Sequence, residues 1–256
     1  MSIDPPSGIV KRVVVAGDFH IPHHSDQAIQ LLENFLKDYQ PDVFVINGDF
    51  LDCPQISKYA RVPGGTTLEQ DINLAYSYLS DFRRILPKAK IYYLEGNHEF
   101  RIRSYLIARA PELYDAYYLR DKLCLKQLNI EWVGTKEEAA RWTDTYIQVG
   151  DLHIGHWDRV NQKSGYTASN LIERMGVSVI QSHVHRFAHV TKRLLGGRLL
   201  EGVEIGCMCD LNPTYGSFQN WQTGWTCVEF TESEYHIKPV LVKNYECIVN
   251  GKKYSI

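Results

Sequence analysis

Three times in the first hundred residues a short apolar run stops at a glycine and a polar residue: VVVAGD at 13–18, VFVINGD at 43–49 and IYYLEGN at 91–97. Such runs, bounded by turn formers, suit buried strands. Between the first two, Ser25 is a helix-cap candidate, and Ile29, Leu32, Leu36 and Tyr39 recur at spacings of three and four before Pro41. Between the second and third, Leu68, Ile72, Ala75, Leu79 and Phe82 mark another apolar face, ending before Pro87. Strand, helix, strand, helix, strand implies parallel pairing and an α/β fold. Each strand delivers polar residues at its C-terminal end, the edge where open α/β sheets hold ligands.

Further on, residues 99–126 read as helical with a break near Pro111, and they place Arg101, Arg103, Arg109 and Arg120 among several tyrosines. This stretch is either a solvated helical pair or a phosphate-facing lid. Residues 130–133, 145–149 and 177–180 read as strands and 168–175 as a helix, while the chain beyond Arg198 is rich in short strand-like runs. The connection at 51–65, with two prolines and two glycines, is long enough to be a surface excursion or a substrate rim. No repeat, low-complexity tract or linker divides the 256 residues, so the expectation is one domain over 1–256 with a helical rim or lid at 99–127.

The formal charge of -2 gives no long-range attraction to nucleic acid or acidic membranes. No stretch is long and apolar enough to span a bilayer, so a membrane role is not expected. MSIDPPSG at the N-terminus reads as a disordered lead-in and not a signal peptide. Six scattered cysteines lack the density of a disulfide-stapled secreted domain, which makes the cytoplasm the default location. The Cys207-x-Cys209 pair suits a strand with alternating side chains, or a contribution to metal binding.

Five polar clusters stand at or near predicted strand ends: Asp18 with His20, Asp49 with Asp52, Asn97 with His98, His153, and His183 with His185. Parallel strands would gather them into one cleft. Carboxylates, imidazoles and an amide oxygen form a donor set suited to Mn, Fe, Zn or related divalent ions, unlike an all-thiolate site. So many donors exceed one tetrahedral ion. Two ions sharing a carboxylate suit them better, with Asp49 as the natural bridge, and two-metal centres serve in-line phosphoryl displacement.

In order and context these blocks resemble the calcineurin-like metallophosphoesterases. The matching segments are GDFH (17–20), NGDFLD (47–52), GNHE (96–99), GDLHIGH (150–156) and SHVHR (182–186). The resemblance implies a four-layer α/β/β/α sandwich with a mixed central β-sandwich. It implies one ion held by Asp18, His20, Asp49 and His185, and a second held by Asp49, Asn97, His153 and His183. Mn is the leading choice of metal, with Fe, Zn, Ni or Mg as alternatives. His98 would serve as general acid or charge stabiliser, and Asp52 would support a histidine. Two departures stand out: Ile154 separates His153 from Gly155, which leaves Asp151 and His156 competing for the ligand position, and Ser182 replaces a glycine. His153 is preferred.

Arg186, His156 and Trp221 are candidate substrate contacts, Arg186 because a guanidinium fork matches phosphate oxygens. The segment YGSFQNWQTGW at 215–225 either stacks a base or buries its tryptophans under the sandwich. The function expected from the resemblance is a phosphodiesterase acting on a phosphate ester such as DNA, RNA or a nucleotide. A phosphomonoesterase and an inactive protein-binding scaffold are the alternatives. The sequence leaves any protein partner and the oligomeric state open.

Overall fold

A computed structural model describes residues 1–3, 11–57, 64–135, 141–212, 219–232 and 234–256. The first three apolar runs become β2 (Lys11–Ala16), β3 (Val43–Asn47) and β4 (Lys90–Leu94). They are joined by α1 (Asp26–Tyr39) and α2 (Leu68–Ile85). Ser25 caps α1 by accepting from the Ala28 N–H, and Thr67 and Gln70 cap α2 reciprocally. β5 (Ile130–Val133) completes a parallel run β2-β3-β4-β5, and β11 (Gly224–Phe230) and β12 (Tyr235–Leu241) extend it with antiparallel pairings on the β2 side.

A second six-stranded sheet has the order β1-β6-β7-β8-β10-β9. It consists of β1 (Ser2–Ile3), β6 (Tyr146–Val149), β7 (Leu152–Gly155), β8 (Ser178–Gln181), β9 (Phe187–Arg193) and β10 (Leu199–Ile205). The hairpin β13 (Glu246–Val249) and β14 (Lys252–Ser255) stands apart from both sheets.

Two-residue periodicity decides the layers, because successive side chains on a strand face opposite sides. Val14, Ala16, Phe44, Ile46, Ile91 and Tyr93 join a core with α1 and α2. Their alternates Val13, Val15, Val43, Val45, Tyr92 and Leu94 meet Ile147, Val149, Ile154, Ile180 and Val203 of the second sheet. On that sheet's outer face Val179 and Leu200 pack with Leu171 and Ile172 of α5 (Tyr166–Met175). The result is the α/β/β/α sandwich.

Several expectations need correction. Ser2 and Ile3, read as a disordered lead-in, pair with Gln148 and Val149; residues 4–8 of that segment lie outside the described residues. Gly150 and Asp151 do not end a strand at a ligand edge; they turn the hairpin between β6 and β7. β9 and β14 were not foreseen. The helical stretch becomes α3 (Asn97–Arg109), a 3-10 segment at Pro111–Ala116 and the short α4 (Leu119–Lys122), with Ile102, Leu106 and Leu119 buried in the helix-side core. Within the 51–65 connection, residues 58–63 lie outside the described residues, as do 215–218 of the aromatic segment. In the rest of that segment Trp225 is fully buried against Phe35, while Trp221 is half-buried. No helix among the described residues is long and apolar enough to cross a membrane.

Candidate metal centre

Both sheets point C-terminal strand ends at one place. The loop after β2 brings Asp18 and His20, the loop after β3 brings Asp49 and Asp52, and α3 opens with Asn97 and His98 after β4. From the second sheet, β7 ends before His156, and β8 ends before Ser182, His183 and His185. The loops are tied by backbone hydrogen bonds: the Asp18 N–H donates to Gly48 O at 3.1 Å and the His20 N–H to Asp49 O at 2.9 Å. Gly48 and Gly96 allow close approach. A Cβ on Gly48 would lie 2.4 Å from His156 Nδ1, and one on Gly96 2.3 Å from Asp49 Oδ1.

Two groups of donor atoms share Asp49. In the first, His185 Nε2 lies 3.0 Å from His20 Nε2 and 3.5 Å from Asp18 Oδ1, and His20 Nε2 lies 3.7 Å from Asp49 Oδ2. In the second, His156 Nε2 lies 3.2 Å from Asp49 Oδ2, 3.1 Å from Asn97 Oδ1 and 3.2 Å from His183 Nδ1. Ligands of one ion at about 2.0–2.2 Å are spaced roughly 3–3.5 Å apart. The donor set therefore fits divalent ions. Asp18 Oδ1 supports the fit: it is buried and accepts no hydrogen bond among the described residues.

Charge points the same way. Burial opposes ionisation of Asp49, yet His156, His98 and His20 hold its carboxyl well below the usual range. Against burial, Asp49 and Asp18 push His156 up to about 9, and Asp18 and then Cys209 push His185 up to about 10. His183, buried beside His156, is pushed down to about 4. The buried carboxylates thus draw protons onto two imidazoles. A cation would supply the same balance.

The placement of histidines differs from expectation at one point. His153 does not join the cluster; it lies within β7 opposite Gln148, with its ring 5.0 Å from Tyr146. His156 takes the place instead, because β7 ends at Gly155 and the next residue emerges at the sheet edge. Its Nδ1 donates to Asn47 O at 2.9 Å, which leaves Nε2 for the cluster. Ser182, the residue in place of glycine, also donates to Asn47 O and lies 2.9 Å from His156 Nδ1.

Asp52 sits between two rings, its Oδ1 2.8 Å from His20 Nδ1 and 3.0 Å from His98 Nδ1. His98 Nε2 lies 3.7 Å from Asp49 Oδ2. Arg101 reaches the same ring, its guanidinium 2.8 Å from His98 Nε2 and 2.9 Å from Asp52 O. Arg186 is turned to the Asn161 carbonyl, to which it donates. Trp221 packs on His185 at 4.4 Å between ring centres.

Sequence reasoning missed three contributors. Trp142 lies against His156 and His183 at 5.5 and 5.6 Å, and nothing in its local sequence signals it. Arg101 was visible only as one arginine among several. Glu99 is buried and accepts from the N–H groups of Asp49, Phe50, Leu51 and Gly96 at 2.7–3.0 Å, and from Tyr93 Oη at 2.8 Å. Its position three residues after the N-cap Gly96, where a glutamate reaches back to the cap N–H, is the half of a capping-box pattern that could have found it.

An α/β/β/α sandwich thus carries a cluster of histidine, aspartate and asparagine donors at its shared edge, a candidate metal centre. The model of the Calcineurin-like phosphoesterase family matches residues 11–187, and the chain belongs to that family, which binds divalent metals. The Gene 54 protein of Mycobacterium phage L5 is 30% identical, with 94% of this chain and 95% of that protein covered. The Gene 54 protein of Mycobacterium phage D29 is 28% identical, with the same coverage of 94% and 95%. Among solved structures, Vps29 complexed with Zn2+ from Entamoeba histolytica is 17% identical with a TM-score of 0.46, covering 94% of this chain and 95% of that one. Vps29 from Cryptosporidium parvum is 12% identical with a TM-score of 0.45, covering 95% and 94%.

Proposed function

We propose that this protein is a dinuclear metal-dependent phosphodiesterase acting on nucleic acid or nucleotides. The observation that carries the reading is the convergence of seven donor residues with His98 beside them. One ion would be held by Asp18, His20, Asp49 and His185, the other by Asp49, Asn97, His156 and His183, with Mn the leading choice. When bound, the ions supply an activated water and positive charge for the phosphoryl oxygens.

A diester releases an alkoxide, a poor leaving group unless it is protonated. His98 is the group placed for that task. Burial and Arg101 disfavour its imidazolium, but Asp49 and Asp52 outweigh them and raise it above the ordinary histidine range. The Arg101 contact requires a lone pair on Nε2, so the observed arrangement is that of the neutral ring. Arg101 turning to a phosphate oxygen frees Nε2 to take up a proton from solvent, which the carboxylates beside the ring favour, and Asp52 holds Nδ1. That proton then passes to the leaving alkoxide. Trp142 and Trp221 flank the donors and offer faces for a base.

The test is hydrolysis of bis(4-nitrophenyl) phosphate and 4-nitrophenyl phosphate by the Mn-loaded protein. Higher kcat/KM on the diester supports the proposal. Higher kcat/KM on the monoester replaces it with a phosphomonoesterase, and no turnover with two ions bound favours a protein-binding scaffold. His98→Ala should keep both ions and lose about 100-fold or more in kcat on a diester with an alkoxide leaving group.

A further inference from the structure

Cys207 and Cys209 have no part in the reading above, yet they lie directly behind His185. Residues i and i+2 of an extended chain share one face. Here the segment is pinned on both sides: Cys207 bridges to Thr223 and Cys209 to His24. The Cys207 N–H donates to Gln222 O at 2.9 Å and the Met208 N–H to Asp18 O at 3.1 Å. Both thiols are free and buried. Cys209 Sγ is 3.7 Å from His185 Nδ1, and one donor atom from each of His185, Cys207 and Cys209 lies within 4.8 Å of the other two.

The nitrogen–sulfur distance is that of two ligands on one ion. With Zn–S of about 2.3 Å and Zn–N of about 2.0–2.1 Å, tetrahedral geometry spaces the nitrogen and sulfur about 3.6 Å apart. The Cys207 thiol donates to the Gln222 carbonyl oxygen at 3.6 Å, a contact that metal binding at the sulfur replaces. Thiolates select zinc and softer ions, whereas the carboxylate-rich cluster suits harder ones. The ring of His185 separates the two environments, with Nε2 toward Asp18 and His20 and Nδ1 toward the sulfurs.

We propose that His185 Nδ1, Cys207 Sγ and Cys209 Sγ form a site for one soft divalent ion of the zinc and cadmium type, joined through the imidazole to the candidate dinuclear centre. Binding forms two metal–sulfur bonds and one metal–nitrogen bond. It releases the two thiol protons and any proton on Nδ1 to solvent. The dinuclear assignment is not required for it, since the thiols and Nδ1 stand whether or not Nε2 is metallated.

The test is an anaerobic titration of the metal-free protein with Co2+. Thiolate ligation gives an intense near-ultraviolet charge-transfer band that histidine and carboxylate ligands do not. The wild-type band should saturate at one thiolate-bound ion per chain. It should vanish in Cys207→Ser and in Cys209→Ser, with far-ultraviolet circular dichroism and the visible Co2+ absorption of the other cluster retained, and persist in Cys53→Ser. A wild-type protein that binds Co2+ without this band overturns the proposal, as does a band unchanged in both cysteine variants. If the band forms while the carboxylate cluster binds nothing, the phosphoesterase centre fails and the thiol site stands.

Discussion

Asp18, His20, Asp49, His183 and His185 all hold positive φ, between 49° and 74°. That region costs a non-glycine residue roughly 1–3 kcal/mol, and it persists only where surrounding structure enforces it. Here the enforcement is visible: Asp18 Oδ2 accepts the His183 N–H at 2.7 Å, and Asp49 Oδ1 accepts the His98 N–H at 2.9 Å. The backbone at His183 and at His98 is thus positioned by a carboxylate of the candidate centre. His156 and His153 test the assignment at the same scale. His156→Ala should weaken one of the two ions by more than the ~10–100-fold typical of supporting residues, whereas His153→Ala should leave both; metal counting after equilibrium dialysis separates them. The blocks around Asp18, Asp49, Asn97 and His183 were legible because each follows its strand directly. His156 was misplaced because a two-residue turn at Gly150 and Asp151 looks the same in sequence whether a loop or a second strand follows.

Glu99 acts at the scale of elements, joining the start of α3 to the loop after β3 through four backbone N–H groups. Glutamine keeps one acceptor oxygen but points an amide at donors, so buried N–H groups lose their partner. Glu99→Gln should cost about 3 kcal/mol in urea unfolding and weaken metal binding at Asp49. Glu95, at the end of β4, behaves differently. It is buried, lines a cavity of about 730 Å³ behind α3 with Tyr114 and Trp132, and accepts from Thr135 N–H and Oγ1. Burial raises its carboxyl above the ordinary 4.5, although the Thr135 hydrogen bonds oppose that shift. The unfolded chain therefore releases this proton at lower pH than the folded one, and stability contributed by Glu95 falls as pH rises above 4.5. Glu95→Gln, with an oxygen for Thr135 and no charge, should melt higher than wild type at pH 7, the difference shrinking toward pH 4.5; thermal scans across that range check it.

For the whole molecule, Phe35 shows how distant segments are locked together. Its ring meets Tyr39 of α1 at 4.8 Å, Trp225 of β11 at 5.3 Å and Tyr254 of β14 at 5.3 Å. Phe35→Ala should cost about 3–5 kcal/mol while metal stoichiometry per folded molecule stays the same, because none of these rings touches the donors. Urea titration with metal analysis of the folded fraction is the measurement. Parallel β2-β3-β4, the two helices between them and the donor types at their ends were determined by the sequence alone, since each rests on short-range periodicity and turn chemistry. The pairing of Ser2 and Ile3 with β6, the β6-β7 hairpin, the choice of His156, and the positions of Trp142 and the Cys207-Cys209 pair were decided only by the tertiary structure. Ser2 pairs with Gln148 and His156 bonds Asn47 across more than a hundred positions, which leaves no local mark. The hairpin, Trp142 and the cysteine pair are closer in sequence, but their turns and alternations read the same whichever strands and loops they come to lie against.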